Sequence, residues 1–295
     1  MKRNYAGLKP VRTAIFVPGN RLDRVDKAIN TDADAVIIDL EDSVPLDQKE
    51  EIRPGVHRKL VEHKKRKIIV RVNALDSEFI KGDLESIILE NLFGIMVPKV
   101  EDPFHIQEIN GLILDLETSK GIKQGSIWII PLIESAKGIQ NIFRILSQKI
   151  NPVRLFTAAF GAADYSLDLG IELTKDITQF DYARSRIAIA CRASGIEPPL
   201  DTPSMLDLKD KDGLAAQAKR AKELGFQGKL CIHPNQIEIC NEIFFPSKEE
   251  ILHARRVVEA FDEAEAKGIA AIQLEGKFID MPVVEQARRI LSLLV

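Results

Sequence analysis

Eight short apolar runs, spaced along the chain like beads, constrain this sequence more than any other feature. They are TAIFVP (13–18), DAVIIDLE (34–41), KIIVRVN (67–73), GIMVPKV (94–100), SIWIIPLIE (126–134), RLFTAAFG (154–161), IEPPLD (196–201) and GKLCIHP (228–234). Most are near-continuous Val/Ile/Leu stretches, the pattern of strands buried on both faces of a parallel sheet. IEPPLD is the exception, because two prolines disfavour a central strand. Their starts lie about 21 to 42 residues apart, the length of a strand–helix unit. The intervening segments fit: 134–149, 178–195 and 211–226 carry apolar residues at helical spacing, and Gly195 ends the second of them. ADYSLDLG (163–170) reads as a loop. Eight such units predict an α/β fold, a (β/α)₈ TIM barrel. An open doubly wound sheet is the alternative, but no GxGxxG follows the first run.

About 60 residues follow the eighth run. Residues 247–267 predict an amphipathic helix with Ser247 as N-cap and Glu250 completing a capping box. Residues 272–280 predict a hairpin turning at Glu275-Gly276, and 282–294 a helix with Pro282 in its first turn. The expected organisation is a barrel over 1–240 and a C-terminal lid or oligomerisation arm over 241–295.

Composition narrows the function class. Of 295 residues, 41 are Lys or Arg and 44 Asp or Glu, giving a net charge of −3. A dedicated nucleic-acid binder would be strongly basic. No apolar run approaches the roughly 18 residues of a membrane span. The N-terminus is basic, but Pro10, Arg12 and Pro18 interrupt any signal-peptide core. The three cysteines, Cys191, Cys231 and Cys240, show neither a disulfide framework nor metal spacing, so a cytoplasmic location is expected.

In such a barrel, chemistry belongs at the C-terminal ends of the strands. Those ends carry Glu41, Arg71, Lys99, Glu134, Asp164, Asp201 and His233. Polar strand ends near solvent are ordinary, taken singly; together the charges demand pairing or a metal. Glu134 and Asp164, from successive units, could converge on Mg²⁺. Arg71 could hold a carboxylate or an enolate oxygen, or form a structural ion pair with Glu41 that orients it. Arg21, Arg24 and Lys27 open the first helix and could meet an anionic cofactor, with Arg24 the best candidate for plain solvent exposure.

The motifs VPGNRLDRVDKA, DADAVIIDLEDSV, IIVRVNALDSE, IMVPKVE, IIPLIESAKGI, AAFGAADYSLDLG, GFQGKLCIHPNQI and GKFIDMP closely resemble those of the HpcH/HpaI aldolase–citrate lyase β-subunit family. Within that family they are most similar to the malyl-CoA and citramalyl-CoA lyase-like branch. The resemblance runs from about residue 12 to 292 with the motifs in order. It implies a (β/α)₈ barrel that cleaves or forms a C–C bond between an acyl thioester and a 2-oxo acid, using Mg²⁺. It implies metal ligation by Glu134 and Asp164, substrate contact by Arg71, and contact with coenzyme A or substrate by Phe16, Arg21 and Lys27. Ile232 and His233 would line the thioester channel. Asp280, on the arm, would act as acid/base, in many relatives at an adjacent subunit's site, and a homotrimer or a multiple of one would follow. Two other readings stay open. One is a citrate lyase β subunit working on a citryl group held by an acyl-carrier protein. The other is a CoA-binding relative without catalysis.

Overall fold

All eight runs form parallel strands, and they close on themselves. The structure, a computed structural model, describes residues 10–294. The first nine residues, on which the signal-peptide reading partly rests, lie outside the described residues. The first half of the barrel runs β1 (Thr13–Pro18), α1 (Leu22–Ile29), β2 (Ala35–Asp39), α2 (Arg53–Glu62), β3 (Ile68–Arg71), α3 (Ile80–Ile87), β4 (Gly94–Val97) and α4 (Pro103–Ser119). The second half runs β5 (Trp128–Ile133), α5 (Ala136–Leu146), β6 (Ala159–Phe160), α6 (Ala162–Leu169), α7 (Asp181–Ser194), β7 (Leu200–Asp201), α8 (Lys211–Glu223) and β8 (Gly228–Cys231). Each strand pairs with the next, and β8 pairs back to β1 through Ala14 and Leu230. This is a (β/α)₈ barrel.

Side chains alternate across each strand. One set, including Ala14, Ile37, Ile69, Met96, Ile130, Leu200 and Leu230, fills the barrel interior with Phe156. The other set, including Ile38, Val70, Ile95, Ile133 and Cys231, packs outward under the helices. The two weakest strands have two residues each. In the seventh run, Pro198 and Pro199 leave only Leu200–Asp201 to pair. In the sixth, Leu155 makes a single bridge to Ile129 before the strand resumes at Ala159.

The reading of 163–170 as a loop is corrected. These residues form α6, closed by Gly170 in the left-handed conformation. Tyr165, Leu167 and Leu169 alternate as in a strand, and Leu167 is exposed. That alternation hides the buried face of the helix, which is Ala162, Tyr165 and Ser166, with Ser166 Oγ donating to the Ala162 carbonyl one turn back.

After α9 (Ile237–Phe244) come α10 (Lys248–Glu265), β9 (Ile272–Leu274), β10 (Lys277–Ile279) and α11 (Met281–Ser292). The capping box forms as expected: Ser247 Oγ accepts from Glu250 N at 3.1 Å, and Ser247 N donates to Glu250 Oε2 at 2.7 Å. Val257, Phe261, Ile279, Val284 and Ala287 build a small core of their own, separate from those of the barrel. Among the described residues no helix is long and apolar enough to cross a membrane.

Candidate active site

Alternation carries the candidate residues to the top of the barrel. On β5, Ile130 and Leu132 face inward, so Glu134 continues that row. On β3, Ile69 faces inward, and so does Arg71. On β2, Ala35 and Ile37 do, and Asp39 follows. Asp39 and Arg71 are direct neighbours in the parallel register. A cleft of about 820 Å³ opens above them, lined by Asp39, Arg71, Glu134, Asp164 and Thr202 among others.

Arg71 is held by more carboxylates than Glu41 alone. Its Nε and Nη2 donate to the two Asp39 oxygens at 2.6 and 2.7 Å, a bidentate pair. Nη1 reaches Asp42 at 3.1 Å and lies 3.1 Å from Glu41. The Phe16 ring stacks beneath the guanidinium at 5.1 Å. Burial works against the Arg71 charge, but Asp39, with Glu41 and Asp42, more than offsets it and raises the pKa. Asp39 was not among the sequence candidates. It ends β2 and reaches the site through its register with Arg71 on β3.

Glu41 is buried and lies 3.1 Å from both Arg71 and Lys99, but neither of its oxygens accepts a well-aligned hydrogen bond. Burial pushes its pKa up, and the nearby Arg71 counters that.

Glu134 is also buried, with its Oε1 accepting from the Lys99 backbone N–H at 2.8 Å. Lys99 adopts a left-handed φ of 54° to make that contact. Among the described residues no side-chain cation pairs with Glu134. Burial, with the added charge of Asp164, drives its pKa up to about 8. The space around Oε2 is kept by Gly161, where a Cβ would lie 2.6 Å from that oxygen. A buried carboxylate beside a second one, short of positive charge and with room at one oxygen, fits a hard divalent cation such as Mg²⁺. The only group of three ligating side chains found among the described residues, Asp26, Glu62 and His63, is elsewhere, on α1 and at the C-terminal end of α2. Lys59 Nζ already bridges it, at 2.8 Å from Asp26 and 2.7 Å from Glu62.

The helix side of the cleft is basic. Arg24, Lys27, Ala28 and Thr31 line it from one face of α1 and the turn after it. Arg21 is not among the residues that line it. It is the N-cap residue with non-helical backbone, so the helical period does not extend to it. Its guanidinium pairs with exposed Asp23 at 3.1 Å instead. Arg24, read from the sequence as a surface residue, lines the cleft. Phe16, Ile232 and His233 line the cleft. His233 Nδ1 accepts from Asn235 N, which fixes the ring at the strand end.

Asp201 and Asp280 also lie outside the cleft lining. Asp201 alternates outward from Leu200 and is fully buried beneath the helices, where it pairs with Lys229 at 2.6 Å and Arg184 at 2.8 Å. It is a structural ion cluster, not part of the rim. Asp280 caps α11 by accepting from Val283 N at 3.4 Å and does not line the cleft of its own chain.

Residues 12–234 match the family model described as HpcH/HpaI aldolase/citrate lyase. The chain is 37% identical to the citrate lyase subunit beta of Escherichia coli over 283 residues, covering 95% of this chain and 92% of that one. It is 32% identical to the mitochondrial citramalyl-CoA lyase of Rattus norvegicus, covering 96% of this chain and 86% of that one. The protein CitE of Mycobacterium tuberculosis, solved with magnesium, acetoacetate and coenzyme A, superposes with a TM-score of 0.76 at 28% identity, covering 96% of this chain and 98% of that one.

Proposed function

The chain belongs to the HpcH/HpaI aldolase/citrate lyase family, and from that premise we propose that it is a Mg²⁺-dependent carbon–carbon lyase acting on a 3-hydroxyacyl-CoA thioester. Substrates of the malyl-CoA or citramalyl-CoA kind would give an acyl-CoA and a 2-oxo acid. The observation that carries the reading is the convergence of Glu134, Asp164 and Arg71 on one cleft whose other wall is the basic face of α1.

The reaction is a retro-Claisen cleavage. The hydroxyl loses its proton, the C–C bond breaks, and its electrons pass to the thioester as an enolate, which is then protonated at carbon. Glu134 and Asp164 would hold Mg²⁺, which supplies Lewis-acid stabilisation of oxygen charge. Arg71, pinned by Asp39 and Glu41, donates N–H to the thioester oxygen as charge develops there. Glu41 keeps the Arg71 fork aimed at that oxygen. Lys27 and Arg24 meet the phosphates of coenzyme A at the mouth, while Phe16, Ile232 and His233 line the path of the thioester arm. Asp280 delivers the proton to the enolate carbon. Its arm, residues 241–295, reaches the site of a neighbouring copy in a homotrimer or a multiple of one, over the barrel of residues 1–240.

A second reading is a citrate lyase β subunit working on a citryl group carried by an acyl-carrier protein. The higher identity to the Escherichia coli citrate lyase subunit than to the citramalyl-CoA lyase favours it. Purified protein with Mg²⁺ and free malyl-CoA, β-methylmalyl-CoA, citramalyl-CoA or citryl-CoA separates the two, with each 2-oxo acid trapped as its hydrazone. Turnover of a free thioester supports the first reading. Turnover only after adding a citryl-loaded carrier protein supports the second. Coenzyme A binding with no turnover on either would point to a non-catalytic relative.

A further inference from the structure

Lys49 is buried, yet none of its hydrogen-bond partners is a carboxylate. Its ammonium donates to the Leu40 carbonyl at 2.9 Å, the Glu41 carbonyl at 2.8 Å and Asn73 Oδ1 at 2.6 Å. An ammonium has three N–H bonds, and here all three are used. Lys49 does not line the cleft. The first two acceptors belong to the turn that ends β2, which carries Asp39, Glu41 and Asp42. The third belongs to the turn that ends β3, just after Arg71.

The tie continues outward. Asn73 donates through both its backbone N and Nδ2 to Asp83 Oδ2, at 3.1 and 2.7 Å. Arg53 Nε holds the other oxygen of Asp83 at 3.0 Å. A buried polar chain thus runs from α2 through α3 to the undersides of the two turns that present Arg71 and its carboxylates. Burying an ammonium against neutral oxygens is costly. An apolar residue at this position could fill the space but could not clamp two carbonyls of one turn to a side chain of the next.

We infer that Lys49 is a positioning residue: it sets the separation of Glu41 and Arg71 by clamping the β2 and β3 turns together. The inference rests on the lyase reading given above. It touches no substrate and acts through the aim of the Arg71 fork. Misplacing such a group by about 1 Å costs on the order of 100-fold in rate.

The test uses Lys49→Met in the full-length protein, with steady-state kinetics on the thioester the wild type turns over and a melting curve on the same sample. A folded variant should lose about 100-fold in kcat with KM changed less than about threefold. On a Glu41→Gln background, Lys49→Met should cost less than about threefold further, because both changes release the same fork. If Lys49→Met does not fold, Lys49→Gln, whose amide still donates to two of the three oxygens, should show the same kcat-selective loss at about tenfold. A folded variant with wild-type kcat and only a lowered melting temperature would overturn the inference, and so would full multiplicative losses in the double variant. A wild-type protein inactive on every thioester would refute the lyase reading instead.

Discussion

Replacing Asp39 by Asn tests how the site is held. Asp39 and Arg71 are in-register neighbours, joined at 2.6 and 2.7 Å, with side chains only 3% and 11% exposed. Breaking a buried pair by removing one partner costs about 3–5 kcal/mol. Arg71 would keep Asp42 and Glu41, each at 3.1 Å, and Asn can still accept one bond. The loss should therefore fall at or just below the lower end, at about 2–3 kcal/mol. For a chain of this size that lowers the melting temperature by roughly 4–12 °C. The effect has a pH signature. Burial pushes the Asp39 carboxyl up, but the Arg71 guanidinium outweighs it and holds the pKa below its ordinary 3.8. A depressed carboxyl contributes stability above its unfolded pKa and loses it as pH falls through the folded one. The gap between wild type and Asp39→Asn in calorimetric melting should be widest near pH 7 and should narrow below about pH 4. At pH 7 kcat should fall about 100-fold, because Arg71 loses its bidentate anchor. A melting gap that is the same at pH 3 and pH 7, or wild-type turnover in a folded variant, would show that Asp39 does not hold Arg71 in this way.

Arg24→Ala should raise KM for a CoA thioester about tenfold with kcat held, whereas Arg21→Ala should leave both within about twofold, as read from initial rates. The Glu134 carboxyl, pushed up to about 8 by burial, must release a proton when a cation binds. Calorimetric Mg²⁺ affinity should therefore weaken as pH drops from 8 to 6, by roughly tenfold per unit. In metal-free protein the folded state holds that proton while the unfolded chain does not, so the melting temperature should fall as pH rises from about 5 to 8, and Mg²⁺ should suppress the fall. Asp280→Asn should lose at least about 100-fold in kcat. Refolding it together with Arg71→Ala should restore activity well above either variant alone, and its failure to do so would place the arm on its own barrel.

Much of this arrangement was legible from residue types and their order. Continuous Val/Ile runs bounded by turn residues marked the barrel strands, and Ser247 with Glu250 marked the start of α10. Alternation along a strand explains both a success and an error. Glu134 lies on the inward row of Ile130 and Leu132, while Asp201 follows inward-facing Leu200 and so must point outward. Grouping strand ends by charge alone overlooked that sign. Asp39 needed the register between β2 and β3, which no single strand reveals. Arg24 and Arg21 differ only in which side of the helix start they occupy, and cap geometry decides that. The position of Asp280 relative to a cleft depends on packing between units that local sequence does not encode.

In the proposed reaction Glu134, Asp164 and Arg71 together cleave a C–C bond in a thioester. The most direct measurement is single-turnover cleavage of the preferred thioester by wild type, Glu134→Gln and Asp164→Asn, each with saturating Mg²⁺ and again with EDTA, with acyl-CoA and 2-oxo acid both quantified. The wild type with Mg²⁺ should give equal amounts of the two products, and the reaction should be at least about 1,000-fold slower, on the order expected for loss of a metal's Lewis acidity, in EDTA or in either variant. Undiminished cleavage by the wild type in EDTA, or by either variant, would contradict it.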